Sequence, residues 1–226
     1  IADEQHRFGV KQREKLLISR DGSDGINTVH NLVMTATPIP RTLAMVIYGD
    51  MATSVIREKP AGRKEIKTHF LPYTEGDDIY NVLVAKLRKG EQAYIVCPRI
   101  DDDSEDVAPD EYYFDDLFGL EEGAPSAVSV KSMKKRLDDH GISAKYETAV
   151  LYGSMKETQK LEVMERFLSG EIKVLISTTV IEVGVNNPNA TMMMIMNAER
   201  FGLSTLHQLR GRIGRGEKQS YCVLCS

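Results

Sequence analysis

The stretch KETQKLEVMERFLSGEIKVLIS, residues 156–177, decides the fold. Leu161, Met164 and Leu168 recur at i, i+3 and i+7, the spacing that gathers apolar side chains on one face of a helix. Gly170 follows as a stop. The run Val174, Leu175, Ile176 then has no polar position, so both faces of that strand need cover, as in a parallel sheet with helices on each side.

The same alternation extends outward. Strands are expected at 66–71, 92–97, 148–152, 172–177, 190–196 and 220–225, and helices at 77–89, 126–140, 156–169 and 204–210. Val130, Met133 and Leu137 repeat the helical spacing, with Gly141 as the stop. Strands alternating with helices predict an α/β domain over 61–226, a doubly wound parallel sheet with helices on both faces. Residues 1–60 read differently: a helix-like stretch at 9–18, a polar loop at 21–27, a strand at 32–36, a helix opened by Pro40, an extended segment at 54–57 and a linker at 59–62. One or two strands cannot close an open sheet, so this part is expected to begin inside a domain.

The composition, 42% apolar and 27% charged, is that of a globular chain rather than a disordered one. The longest wholly apolar run, 192–196, falls far short of the roughly 18 residues that span a bilayer. The first seven residues lack a signal peptide's layout, so a soluble cytoplasmic chain with no membrane partner is expected. Three cysteines do not make a disulfide framework. Cys222 and Cys225 lie three apart in an expected strand and so face opposite ways; they read as buried core thiols, not metal ligands. Net charge is −4, but residues 101–122 hold eleven acids and no Lys or Arg. Setting them aside leaves 22 acids against 29 cations, a balance of +7 that suits a phosphate backbone. The acidic run itself reads as a solvated inserted loop.

Four segments carry chemistry. In QLRGRIGRG, residues 208–216, Arg210, Arg212 and Arg215 alternate with glycines that let the backbone turn sharply. Such guanidiniums can converge on a phosphoryl group, where a positioned Arg is worth on the order of a thousandfold in rate; a passive phosphate clamp or a solvated basic turn fits the same spacing. Asp3 and Glu4 of DEQH can divide labour, one holding Mg²⁺ through water and the other deprotonating an attacking water; an acidic tail is the plainer alternative. Thr35 and Thr37 of TATPIPR offer hydroxyls at a helix start, or simple capping. Thr178 and Thr179, ahead of EVGVN at 182–186, can grip a phosphate backbone or cap a helix.

In that order the four segments follow the motif order of superfamily 2 helicases and translocases. DEQHRFGV at 3–10, MTATPIPRTL at 34–43 and LHQLRGRIGRG at 206–216 resemble the RecG family of bacterial branched-DNA translocases. Gly49-Asp50, Thr53-Ser54 and Gly62-Arg63 resemble that family's inter-domain segment, so the likeness covers essentially the whole chain. It implies RecA-like lobes that clamp ATP and walk on duplex DNA, with 1–60 as the end of the first lobe and 61–226 as the second. It implies ATP and Mg²⁺ as cofactors, branched or forked DNA as partner, and recombination and repair at stalled forks, in the nucleoid of a bacterial cytoplasm.

Carried over residue by residue, Asp3 would hold Mg²⁺ and Glu4 would be the hydrolytic base. His6, Thr35 and Thr37 would couple hydrolysis to lobe movement, with Asp3 and His6 at the nucleotide. Thr178 and Thr179 would contact the DNA backbone. Gln208, Arg212 and Arg215 would meet the nucleotide, the last two as finger candidates, and Gly184 and Asn186 would lie beside it. The sequence departs from the pattern in three places. No G-x-x-x-x-G-K-[ST] loop occurs, so the chain alone is not expected to hydrolyse ATP. Asn186 stands where the family usually has Asp and so loses a negative charge, and LYGSM at 151–155 replaces the commoner LHGRM. A transcription-repair coupling translocase shares TPIPRTL, and a non-enzymatic nucleic-acid- or protein-binding lobe is the third reading. The apolar residues Val33, Met34, Leu43, Val46 and Ile47 are expected to pack on the second lobe or on another copy, giving self-association.

Overall fold

The structure, a computed structural model, describes residues 2–3, 18–20, 26–28, 32–34, 52, 54–56, 63–72, 78–101, 127–182 and 187–226. It comprises two compact units, Ile1–Ile56 and Arg57–Ser226.

In the first unit, β1 (Ala2–Asp3) runs parallel to a later strand, and β2 (Ile18–Arg20) pairs antiparallel with β3 (Ile26–Thr28), Ile18 opposite Thr28. This corrects two expectations. Ile18 belongs to a strand rather than to a helix ending there, and Ile26 and Asn27 belong to a strand rather than a loop. The β-branched Ile18, Ile26 and Thr28 suit a pleated ladder, and the intervening DGSDG carries hairpin turn chemistry. The partner of β1 is β4 (Val33–Met34), with Ala2 opposite Val33 and Asp3 opposite Met34.

The second unit is built on β5 (Lys67–Leu71), α1 (Asp78–Leu87), β6 (Gln92–Val96), α2 (Val130–Asp139), β7 (Thr148–Leu151), α3 (Glu157–Leu168), β8 (Val174–Ser177), β9 (Ala190–Ile195), α4 (Leu203–Arg210) and β10 (Tyr221–Cys225). The six strands form one parallel sheet in the order β5-β10-β9-β6-β8-β7. The expected doubly wound architecture is the one observed. Every residue of β6, β8 and β9 is buried, as strands covered on both faces must be. One core layer joins Leu83, Leu87, Met133 and Leu137 of α1 and α2 to Ile95, Ile176 and Met194 of the sheet. The opposite layer joins Phe167 and Leu209 of α3 and α4 to Tyr94, Leu175 and Met193.

Helix α2 begins at Val130, later than the spacing alone suggests, because Ser129 caps it. The Ser129 hydroxyl accepts from the Ser132 amide, and the Ser132 hydroxyl accepts from the Ser129 amide, both at 3.0 Å. Val130, Met133 and Leu137 are fully buried, as expected. Helix α3 is turned differently from its expected face. Leu161 and Leu168 are 57% and 42% exposed, while Phe167 is fully buried and packs on Tyr94 at 4.9 Å between ring centres. The aromatic ring offers more apolar area than either leucine, and it sets the rotation of the helix. Cys222 and Cys225 lie in opposite core layers, as their spacing in β10 demands. Among the described residues no helix is long and apolar enough to cross a membrane.

Candidate functional site

Parallel pairing sets the geometry of the first unit. Asp3 ends β1 opposite Met34, the last residue of β4, so the chain leaves both strands at the same carboxyl edge. The segments that continue from there in sequence are those of Glu4 and Thr35. Open α/β sheets bind their ligands beyond this edge. Glu4, His6, Thr35, Thr37, Gly184 and Asn186 lie outside the described residues, as do Leu43, Val46, Ile47 and the acidic run from 102 to 122. Met34 is 42% exposed.

In the second unit, Thr178 directly follows β8 at the sheet's carboxyl edge. Its amide donates to the Leu151 carbonyl, and Ser177 is held by the Cys97 amide at 2.8 Å. Thr178 is 1% exposed, and neither its hydroxyl nor that of Ser177 has a hydrogen-bond partner among the described residues. A buried hydroxyl left unmade costs free energy on the order of 1–3 kcal/mol, so this edge holds two polar groups without partners. Thr179 is half-buried and opens the 3-10 helix Thr179–Glu182, beside which α4 packs. Nearby, Asn197 takes a left-handed backbone, and its side-chain oxygen accepts from the Val128 amide at 2.8 Å.

The arginines stand at the other edge. β9 ends at the carboxyl edge and α4 returns the chain, so the turn carrying Arg212 and Arg215 precedes β10 at the amino edge. Two glycines shape it. Gly214 has φ +71°, and a Cβ there would stand 2.8 Å from Ile66 Cγ1. At Gly216 a Cβ would stand 2.7 Å from the Pro188 carbonyl oxygen, so this turn and the segment entering β9 touch backbone to backbone. The Pro188 segment is itself anchored. Asn187 donates to the Gln92 side-chain oxygen and accepts from the Asn189 amide, while Gln92 donates to the Ile172 carbonyl at 2.7 Å. The far end of the turn is tied down by Lys86, which donates to the Gln219 carbonyl at 3.2 Å, pairs with buried Glu91 at 2.8 Å and lies over the Tyr221 ring. Thr191 also donates to Glu91.

Arg215 reaches back to the Gly211 carbonyl at 3.4 Å. Burial pushes the Tyr94 phenol up to about 12, against the opposing charges of Arg215 and Arg212. Both arginines therefore lie within electrostatic reach of the sheet face that holds Tyr94. Gln208 lies half-buried in the last turn of α4. The structure thus brings Gln208, Arg212 and Arg215 together on one helix end and its turn, with Thr178 and Thr179 at the opposite edge of the same sheet. The anchors of the turn, Lys86, Glu91 and Gln92, were not among the residues expected from sequence, since a buried pair from α1 and its following loop has no local signature.

The helicase conserved C-terminal domain matches residues 76–217. The chain is 44% identical over 225 residues to the ATP-dependent DNA helicase RecG of Bacillus subtilis and 46% identical over 224 residues to that of Staphylococcus epidermidis, in each case over 99% of the chain. It spans 29% of the length of either relative. A structure of RecG bound to a three-way DNA junction matches 99% of this chain and 25% of its own, with 35% identity and a TM-score of 0.66. Yeast Dbp5 bound to RNA and ADP BeF3 matches 86% of this chain and 44% of its own with a TM-score of 0.51; at 15% identity it shares the fold alone.

Proposed function

The chain belongs to the family of helicase conserved C-terminal domains, in RecG-type form along 99% of its length, and from that premise we propose that it is the motor portion of an ATP-dependent translocase for branched DNA in a bacterial cytoplasm. One observation carries the reading. Arg212 and Arg215 stand three residues apart on the one turn after α4, whose Gly214 is left-handed at φ +71°. Two guanidiniums on a turn whose backbone glycine adopts without strain are suited to a phosphoryl group.

The donor sets fit the groups such a motor uses. Asp3, at a strand's carboxyl end, offers hard oxygen chemistry for Mg²⁺, and the two arginines offer charge-assisted hydrogen bonds for phosphate oxygens. When bound, ATP would supply the phosphoryl group and Mg²⁺ would neutralise part of its charge. Asp3 would hold the cation, and Glu4 would orient an attacking water and accept its proton. Arg212 and Arg215 would stabilise charge on the equatorial oxygens, and Gln208 would orient the nucleotide. The nucleotide roles of His6, Gly184 and Asn186 and the coupling role of Thr35 and Thr37 rest on the family likeness alone. Thr179, with the backbone amides at the start of its 3-10 helix, meets the DNA backbone, while Thr178 supports it from inside. These 226 residues contain no phosphate-cradling G-x-x-x-x-G-K-[ST] loop, so turnover would need one supplied to them.

The test is ATP turnover on forked DNA by a protein carrying this chain together with such a loop. Arg215→Ala should lower turnover about a thousandfold while DNA binding is retained. Unchanged turnover would refute the assignment.

A further inference from the structure

The amino edge of the second unit's sheet holds a cleft of about 280 Å³. One wall is residues 63–66, leading into β5, and the other is the end of α4 with the turn after it. Three cations line it, Arg63, Lys64 and Arg210, against one carboxylate, Glu65. Elsewhere on this unit several basic side chains are neutralised within the fold. Lys86 pairs with Glu91, Lys131 with Asp101, Lys134 with Asp138, and Arg166 with both Glu147 and Glu171. Among the described residues, none of the cleft's three cations has an ion pair. Like charges from two distant segments repel, and a fold that brings them together leaves an anion's place between them.

The rest of the lining defines that anion. Ile66 is half-buried and Ile213 is 2% exposed, so the floor is apolar and strengthens charge interactions above it. Gly211 and Gly214 also line the cleft, so their backbone amides lie along its wall. The volume lies just under the range of about 300–1,000 Å³ typical for whole small molecules, so it admits a polyphosphate tail rather than a complete nucleotide. A duplex backbone, with a charge every ~3.4 Å along each strand, suits an extended ridge better than a concave cleft.

We propose that this cleft is a phosphate-binding subsite, separate from Arg212 and Arg215, that takes the polyphosphate of a nucleotide through Arg63, Lys64 and Arg210. The identity of the ligand as a nucleotide rests on the proposed function; the subsite itself rests on the cleft. The test titrates the 226-residue chain with sodium pyrophosphate by calorimetry, with the amide resonances of Gly211 and Gly214 as local reporters. Saturable binding that shifts both amides is expected. Arg63→Gln and Arg210→Gln should each weaken it about tenfold, the worth of one charge-assisted hydrogen bond, whereas Lys145→Gln, on a distant turn, should not. Arg63 is exposed, so its variant should melt like the parent chain. If pyrophosphate binding survives Arg63→Gln and Arg210→Gln but is lost in Arg212→Gln, the phosphate goes to the proposed fingers; the subsite is then wrong and the proposed function stands. No saturation by pyrophosphate, with a short DNA duplex bound through Arg63 instead, would equally overturn the subsite.

Discussion

Replacing Gly214 with alanine tests whether the arginine turn depends on a backbone that only glycine adopts freely. The cost has two parts. A left-handed residue with a Cβ is strained by about 1–2 kcal/mol, and Gly214 has φ +71°. The added carbon would also stand 2.8 Å from Ile66 Cγ1 and 3.0 Å from its Cδ1. Crowding of this kind costs about 1–3 kcal/mol, less where a side chain can swing aside. Together they give about 2–5 kcal/mol. For a unit of this size each kcal/mol moves the melting temperature by roughly 2–4 °C, so a fall of about 4–20 °C is expected. The parts separate by mutation. Gly214→Asn introduces the same Cβ, but asparagine tolerates the left-handed region better, so it should cost less than alanine. Ile66→Ala removes the atoms in the way, so Gly214→Ala should cost less in that background than in the native one. The assay is circular-dichroism melting of the 226-residue chain, with urea unfolding for the free energies. A Gly214→Ala chain melting within about 1 °C of the parent would refute both parts. Equal costs in the two Ile66 backgrounds would refute the steric part alone.

Further outcomes follow from the same packing. Phe167→Ala should destabilise by about 3–5 kcal/mol in urea unfolding, since the ring is fully buried against Tyr94; Leu161→Ala, at a 57% exposed position, should stay within about 0.5 kcal/mol. Gly216→Ala has no flexible side chain to displace, only the Pro188 carbonyl, and should cost about 1–3 kcal/mol in the same assay. Burial pushes the Cys222 thiol up to about 11 and Cys225 to about 12, and raises Cys97 as well. The native chain should therefore resist iodoacetamide at pH 8 until it unfolds, and rapid labelling would contradict the burial. Burial raises the Glu91 carboxyl, but hydrogen bonds from Lys86 and Thr191 lower it further, leaving it below its ordinary 4.5. A depressed carboxyl contributes stability above its unfolded value and loses it as pH falls through the folded one. Urea midpoints should drop below about pH 4.5 in the parent chain and less steeply in Glu91→Gln.

Much of the second unit was legible in sequence because its strands are buried on both faces. Runs such as Val174 to Ile176 have no alternative reading once helical segments with glycine stops flank them. The opposite placement of Cys222 and Cys225 follows from strand period alone. The rotation of α3 was not legible, because Leu161, Met164, Phe167 and Leu168 offer overlapping faces. Tyr94, 73 residues away in sequence, selects Phe167 among them. The hairpin at Ile18–Thr28 was hidden for a related reason, since a three-residue strand is too short for its period to show. At the candidate site the arginine turn announced itself by composition, whereas its anchors Lys86, Glu91 and Gln92 depend on contacts that no local pattern encodes.

Topology sets the proposed threonines and arginines at opposite edges of one sheet. Thr178 and Thr179 leave β8 at the carboxyl edge, and β9 begins at the amino edge. Pro188 leads into β9, and Gly216 lies against it without a side chain to separate them. The route from Pro188 to the arginine turn is therefore one backbone contact, held by Asn187, Gln92 and a close-packed sheet that resists deformation. The reverse route is equally short, because Gly216 directly follows Arg215. Such an arrangement fixes the turn against the segment entering β9, since a close backbone contact leaves no slack to absorb a shift. The glycine at 216 then matters for the contact it allows rather than for flexibility. A side chain there would lengthen the route at the point where it is most direct.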